Sequence, residues 1–271
     1  IDVYRRCNKY PATYCITIPK GVRRIEKYAF QDYRSLTSVT IPEGVTTITK
    51  GAFQFCSSLV SVTLPEGLKS IEWGAFQGCR SLASVSIPEG VTFIGDIAFK
   101  GCSSLASVVI PEGVKIGQRT FQGCKSLSSV TIPAGETKIG TSAFQRCSSL
   151  ASVIIPEGVT EIGKNAFDGC SSLVSAVLPQ SCNFIHENAF KNCPRLSLVV
   201  APDVLAVRRL NQNLRRYVAD GSIASVFPGC PLLNPPAYTT PRTPAAIVAA
   251  QRLEYWTPTT HQPCQPTRRE W

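Results

Sequence analysis

Residues 82–104, LASVSIPEGVTFIGDIAFKGCSS, are one copy of a 23-residue unit that fills most of this chain. Proline recurs once per unit from Pro19 to Pro202, phenylalanine from Phe30 to Phe190 and cysteine from Cys56 to Cys193. Every step is 23 residues except one of 22 in the fifth unit, where Val114-Lys115-Ile116 replaces V-x-x-I. A unit this short cannot bury its own apolar side chains, so its copies must stack on one another.

Within the unit, the pattern L-x-x-V-x-I puts Val85 and Ile87 on one face of a strand, and Ser84 and Ser86 on the other. Pro88 ends the strand because it has no N–H for a ladder, and Pro-Glu-Gly makes a turn. Val91-x-x-Ile94 predicts a short second strand. Ala98, Phe99, Cys102 and Leu105 predict a single helical turn facing inward. Period and L-x-x-L-x-L spacing together predict a leucine-rich repeat solenoid of parallel strands. The expected organisation is an N-terminal cap over 1–18, about eight units over 19–202, a degenerate last unit with a helical insertion over 203–233, and a Pro-rich linker with a C-terminal helix over 234–271.

The motif I-P-E-G-V-x-x-I-G-x-x-A-F-x-x-C-x-S-L, read at Ile41–Leu59, Ile87–Leu105 and Ile155–Leu173, resembles that of the BspA-like leucine-rich repeat proteins over about residues 16–200. The resemblance implies a surface-exposed or secreted adhesion and interaction module, and no enzymatic activity through the repeats.

Net charge is +10, shared between residues 1–200 (+6) and 201–271 (+4). This basicity admits anionic partners, but neither a nucleic-acid motif nor aromatic–basic interleaving accompanies it, so no specific nucleic acid is expected. No run of 18 apolar residues predicts a transmembrane helix. Starting at Ile1 and lacking methionine, the chain reads as a processed form or a fragment.

Of twelve cysteines, seven occupy one repeat position, where stacked neighbours come near disulfide range, yet their inward aspect favours buried reduced thiols. Cys230, in Phe227-Pro-Gly-Cys230, continues that column, and Cys182 stands in the inward valine position. Cys7 and Cys15 form a candidate disulfide for the cap in an oxidising compartment, against free thiols in a reducing one.

Three surfaces are candidate binding sites. The outward strand face carries one column beginning Ser38, Ser61, Ser84 and a second beginning Thr40, Thr63, Ser86; toward the C-terminal end it turns aliphatic at Ile154 and Val177. Small β-formers suit a parallel sheet in any case, and a sugar- or protein-binding surface is the alternative. Phe55, Trp73 and Phe93 stand at positions polar in most other units and come from successive coils, so they form a candidate convex patch. In the tail, 203–219 and 244–256 read as amphipathic helices, and the second helix or its linker is expected to cover the aliphatic end of the face.

No catalytic, metal or cofactor constellation emerges. His186 and His261 are the two histidines, and neither lies in a ligand set or beside a nucleophile motif. The glutamates at the Pro-Glu-Gly corners read as a solvated edge. The sequence therefore predicts a non-enzymatic binding or adhesion module with a protein or glycan partner at the cell surface or in secretion. The alternative is a cytoplasmic scaffold or subunit of a larger assembly that docks through its C-terminal tail.

Overall fold

A computed structural model describes residues 14–200 and Cys230. The chain divides into two compact units, Ile1–Tyr238 and Thr239–Trp271, and every described residue belongs to the first. The expected N-terminal cap pairing of Cys7 with Cys15, both tail helices and the covering of the aliphatic end all lie outside the described residues.

Each coil contributes a longer strand, a proline corner (Pro-Glu-Gly in five coils), a two-residue strand and a return. The longer strands are β1 (Tyr14–Thr17), β3 (Leu36–Thr40), β5 (Ser61–Thr63), β7 (Ser84–Ser86), β9 (Ser107–Val109), β11 (Ser129–Thr131), β13 (Ser152–Ile154), β15 (Ser175–Val177) and β17 (Leu198–Val200). The short ones are β2 (Arg24–Ile25), β4 (Thr47–Ile48), β6 (Ser70–Ile71), β8 (Phe93–Ile94), β10 (Lys115–Ile116), β12 (Lys138–Ile139), β14 (Glu161–Ile162) and β16 (Phe184–Ile185). Every ladder is parallel and joins counterparts in adjacent coils; Ser38, Ser61 and Val39, Val62 lie in register, as the period requires. The longer strands form three groups, β1-β3-β5, β7-β9-β11 and β13-β15-β17. The second sheet runs β2 to β10, breaks, and resumes from β12 to β16.

The return is not the helical turn the spacing predicts. Two residues per coil, two places before and two places after the phenylalanine, have left-handed backbones: Gly74 (φ 61) and Gly78 (φ 74) in coil three, Asn165 (φ 57) and Gly169 (φ 76) in coil seven. A left-handed residue ends any run of α conformation, so the return is a chain of tight turns. Its N–H groups are satisfied alternately within the coil and by the next one: Gln77 donates to Gly74 O (3.0 Å) and Phe76 to Ala98 O (2.8 Å).

Coil four illustrates the core. Leu82, Val85, Ile87, Val91, Ile94, Ala98, Phe99 and Cys102 are all buried. Identical side chains stack one coil apart, and from Phe30 to Phe190 the rings lie 5.1–5.6 Å apart and within 11° of parallel. Ring spacing beyond the ~4.8 Å strand spacing reflects an offset stack, the favoured arrangement. A second ladder of amides runs alongside, with Gln54 donating to Gln77 (2.6 Å) and Gln145 to Asp168 (2.8 Å).

The cysteine column consists of buried free thiols. Each donates to the phenylalanine carbonyl of the coil before: Cys56 to Phe30 O (3.0 Å), Cys102 to Phe76 O (3.1 Å), Cys193 to Phe167 O (3.2 Å). Cys230 does the same to Phe190 O (3.1 Å) from 40 residues away, so it closes the column in a ninth coil across a long insertion. Cys182 is likewise buried in its valine position. Burial pushes the Cys56 and Cys124 thiols up to about 12 and Cys182 to about 11, and holds Cys79, Cys102, Cys147 and Cys170 well above the usual range. These thiols are protonated and inert while the coils stay stacked.

Two outcomes follow from this core. Phe99→Ala, in mid-ladder, should cost about 3–5 kcal/mol, read as a lower midpoint of urea unfolding. The seven thiols from Cys56 to Cys193 should resist a thiol reagent in the native protein and react together on unfolding, while exposed Cys15 should not share their protection.

Candidate binding surface

Strand alternation sends every second side chain out of the stack. Ser61, Ser84, Ser107, Ser129 and Ser152 are exposed on either side of an inward valine, as are Thr40, Thr63, Ser86, Val109, Thr131 and Ile154 on the second column. Ser38 and Val177 are half-buried. Ser38 donates its hydroxyl to the Cys15 sulfur (2.9 Å), and it is the one hydroxyl of the two columns with a side-chain hydrogen bond among the described residues. The other exposed hydroxyls of the two columns have no side-chain partner among the described residues.

The register builds a continuous sheet of these groups. Ser152 lies beside Ser175 and then Leu198, and Ile154 lies beside Val177. The aliphatic end is therefore one patch across coils seven to nine, with Leu198 exposed. Two further valines, Val60 and Val174, are exposed just before the strands. Both occupy the first x of L-x-x-V, a position that period-two alternation leaves unassigned, so the strand pattern gives no sign of them. Val109 is the most open large apolar side chain of the face, at 68% exposure.

Charge flanks the uncharged strand face and also occupies the second sheet, as at Lys115, Lys138 and Glu161. On one side Glu43, Glu66, Glu89, Glu112 and Glu157 stand exposed at successive Pro-Glu-Gly corners. On the other, Arg80 and Lys125 stand exposed before the strands. Among the described residues, no three metal-ligating side chains come together.

The three predicted aromatics are exposed, but at three different places in the coil. Phe55 (40% exposed) has φ 61 and lays its ring over Gly78, where an added Cβ would meet it at 2.6 Å. Trp73 (38% exposed) lies under the Lys50 ammonium, 4.4 Å from the ring centroid. Phe93 (42% exposed) belongs to β8, in register with Ser70 and Lys115. Among the described residues no two of these rings pair with each other. Phe55 is distinctive because the same position is glycine in coils three, four, five and seven. A bulky residue holding a left-handed backbone costs of order 1–2 kcal/mol, and it is kept with its ring toward solvent.

His186 is half-buried and tied in place. Its Nε2 lies 2.7 Å from Glu161, its ring meets the edge of Phe184 at 4.4 Å, and Glu161 also takes the Lys138 ammonium at 2.7 Å. The Lys138 hydrogen bond holds the Glu161 carboxyl below the usual range. This bridge spans coils six to eight and lies on the second sheet, away from the face.

The sequence model of the BspA type leucine-rich repeat region matches residues 6–116 and 93–214, in six copies. Among solved structures, a leucine-rich repeat protein of T. pallidum is similar at 28% identity, covering 80% of this chain and 86% of its own, with a TM-score of 0.47. A leucine-rich cell surface protein of Faecalibacterium prausnitzii is 27% identical over 70% of this chain and 72% of its own, TM-score 0.39. A leucine-rich repeat protein of Bacteroides ovatus is 26% identical over 69% of this chain and 63% of its own, TM-score 0.42. No curated protein matches the sequence.

If Phe55 serves contact and not folding, Phe55→Gly should leave stability unchanged or raise it by up to about 1 kcal/mol through relief of the backbone. Chemical denaturation checks this; a loss beyond 1 kcal/mol would make the ring a structural cover for Gly78.

Proposed function

Since this chain belongs to the BspA-type leucine-rich repeat family, we propose that it is a non-enzymatic binding module that engages a protein or glycan partner through its uncharged strand face, at the cell surface or after secretion. The observation that carries this reading is the separation of charge from the face. Both outward columns hold hydroxyl and aliphatic groups only, while glutamates stand along one rim. Removing a charge from water without a matching partner is costly, so an uncharged face can be covered at low desolvation penalty. Its free hydroxyls satisfy polar groups of a partner at the N-terminal end, and Ile154, Val177 and Leu198 supply apolar contact at the other. Charged rims around such a face add orientation and on-rate more than affinity. Phe55 and Trp73 are the further contact candidates, since exposed aromatics are frequent interface anchors.

Family membership supports a repeat module that binds, and the inert thiol column agrees with a scaffold whose chemistry is confined to contact. No helix among the described residues is long and apolar enough to cross a membrane.

The test has two arms. Protease treatment of intact source cells, followed by detection with an antibody to the solenoid, should remove the signal; protection until lysis would turn the reading to an internal scaffold. Purified protein applied to extracellular-matrix proteins and a glycan array should then show a ligand whose binding falls at least ~10-fold, about 1.4 kcal/mol, in Ser84→Lys, with little change in the rim variant Glu89→Gln. Equal binding by both variants would remove the strand face from the proposal.

A further inference from the structure

One step of the solenoid is built differently from the rest. In the second sheet, the residue after each buried isoleucine donates its N–H to the isoleucine carbonyl of the coil before. Thr49, Glu72, Gly95 and Gly117 do so to Ile25, Ile48, Ile71 and Ile94, at 2.8–3.1 Å. Gly163 and His186 do so to Ile139 and Ile162, both at 2.9 Å. Among the described residues, Gly140 makes no such bond to Ile116, and the sheet parts there, between β10 and β12. Two companion bonds fail at the same step. The corner N–H that reaches back one coil from Lys69, Thr92, Lys115, Thr160 and Asn183 has no counterpart at Thr137. The turn bond to the corner proline, made by Val45, Leu68, Val91, Val114, Val159 and Cys182, has none at Glu136.

Two sequence departures meet at this fault. Coil five is one residue short, between Val114 and Ile116. Coil six carries Glu136 where its neighbours have an inward Val, Leu or Cys. The Glu136 carboxylate reaches into the gap and accepts the Ile116 N–H at 2.7 Å. Core packing loosens on both sides. Ile116 is only partly buried, although its seven counterparts from Ile25 to Ile185 are buried, and Val130 of coil six is partly buried as well.

The remaining faces stay closed. The β9–β11 ladder is in register, Phe121 keeps ring spacings of 5.6 Å to Phe99 and Phe144, and Arg119 and Phe121 donate to Thr141 O and Ala143 O at 2.9 Å. Thr120, at the position of a core alanine, donates its hydroxyl to Gly117 O at 2.8 Å and ties the short coil to itself. A stack laddered on the strand and return faces, and held on the third only by the Glu136 side chain and a corner bond from Gly113 N–H to Ala134 O (3.3 Å), opens most readily along that third edge.

We propose that the junction between coils five and six is a hinge, with the strand and return faces as its leaf and the Glu136 carboxylate as the wedge that holds its open edge. Coils one to five and coils six to eight are then two rigid stacks that tilt about it. The longer strands also part between β5 and β7 and between β11 and β13, but the second sheet runs through those steps. At coils five and six the second sheet itself parts and two inter-coil backbone bonds give way to one side chain, so motion concentrates there.

The wedge has a pH signature. Lys115 on β10 faces it, Lys138 beside it is engaged by Glu161, and Glu112 and Glu157 stand exposed on the flanking corners. Burial raises the Glu136 carboxyl above its ordinary value of 4.5, the Ile116 N–H and Lys115 partly offsetting it. An acid with a raised value in the fold loses stabilising effect as pH rises from about its unfolded value through the raised one. Glu136→Gln should abolish that slope.

Amide hydrogen exchange on the full chain decides the matter. Segments 114–118 and 137–141 should exchange at least tenfold faster than the matching segments of coils three, four and seven. Inserting one threonine between Lys115 and Ile116 together with Glu136→Val restores the regular unit and should bring exchange down to the level of those coils. Wild-type exchange equal to that of the regular coils would overturn the hinge, as would fast exchange that persists in a folded, restored variant.

Discussion

Everything in this protein depends on translational stacking: each coil must present to the next the same groups that it receives from the one before. The left-handed residues two places either side of every core phenylalanine from Phe30 to Phe190 make this possible. They turn the return so that Phe30, Phe53 and their successors donate N–H groups forward to the next coil at 2.7–2.9 Å. With those bonds in place the phenylalanine rings, thiols and isoleucines have no choice but to stack on their own kind. The tolerance of the left-handed position for Tyr28, Ile97 and Arg119 shows that inter-coil bonding outweighs a local backbone cost of ~1–2 kcal/mol.

The same translation organises the surface. Any residue type kept at one place in the unit becomes a line along the solenoid, with a spacing set by the strands. Serine and threonine or valine become the face, glutamate at Pro-Glu-Gly becomes a rim, and glutamine beside the phenylalanine becomes an amide ladder. The candidate binding surface is thus a set of parallel lines of side chains on a sheet. Departures from the consensus, such as Phe55, Trp73 and Glu136, carry individual information because the surrounding positions are so uniform.

The short fifth coil shows how narrowly this rule is enforced. One missing residue and one carboxylate at a core position remove backbone bonds from a single edge, while the ring stack and the strand ladder pass through unaffected. A repeat protein can absorb a fault on one face because its coils contact only their neighbours, and the disturbance stops at the adjacent coil.

The sequence by itself determined the parallel solenoid, the coil boundaries, the inward set from Leu82 to Cys102, and the placing of Cys230 in a ninth coil, because each follows from period and alternation. The outward columns from Ser38 to Val177 were legible for the same reason. Three matters were left to the tertiary structure. Ala98, Phe99 and Cys102 fit helical spacing, yet the left-handed backbones that forbid the helix are imposed by bonds to the next coil and leave no consistent residue type at Ile97 or Arg119. Val60 and Val174 are exposed at the first x of L-x-x-V, a position that alternation leaves unassigned. The wedge at Glu136 depended on a gap between β10 and β12, and a pairing that fails to form is a relation between coils that no single coil can record.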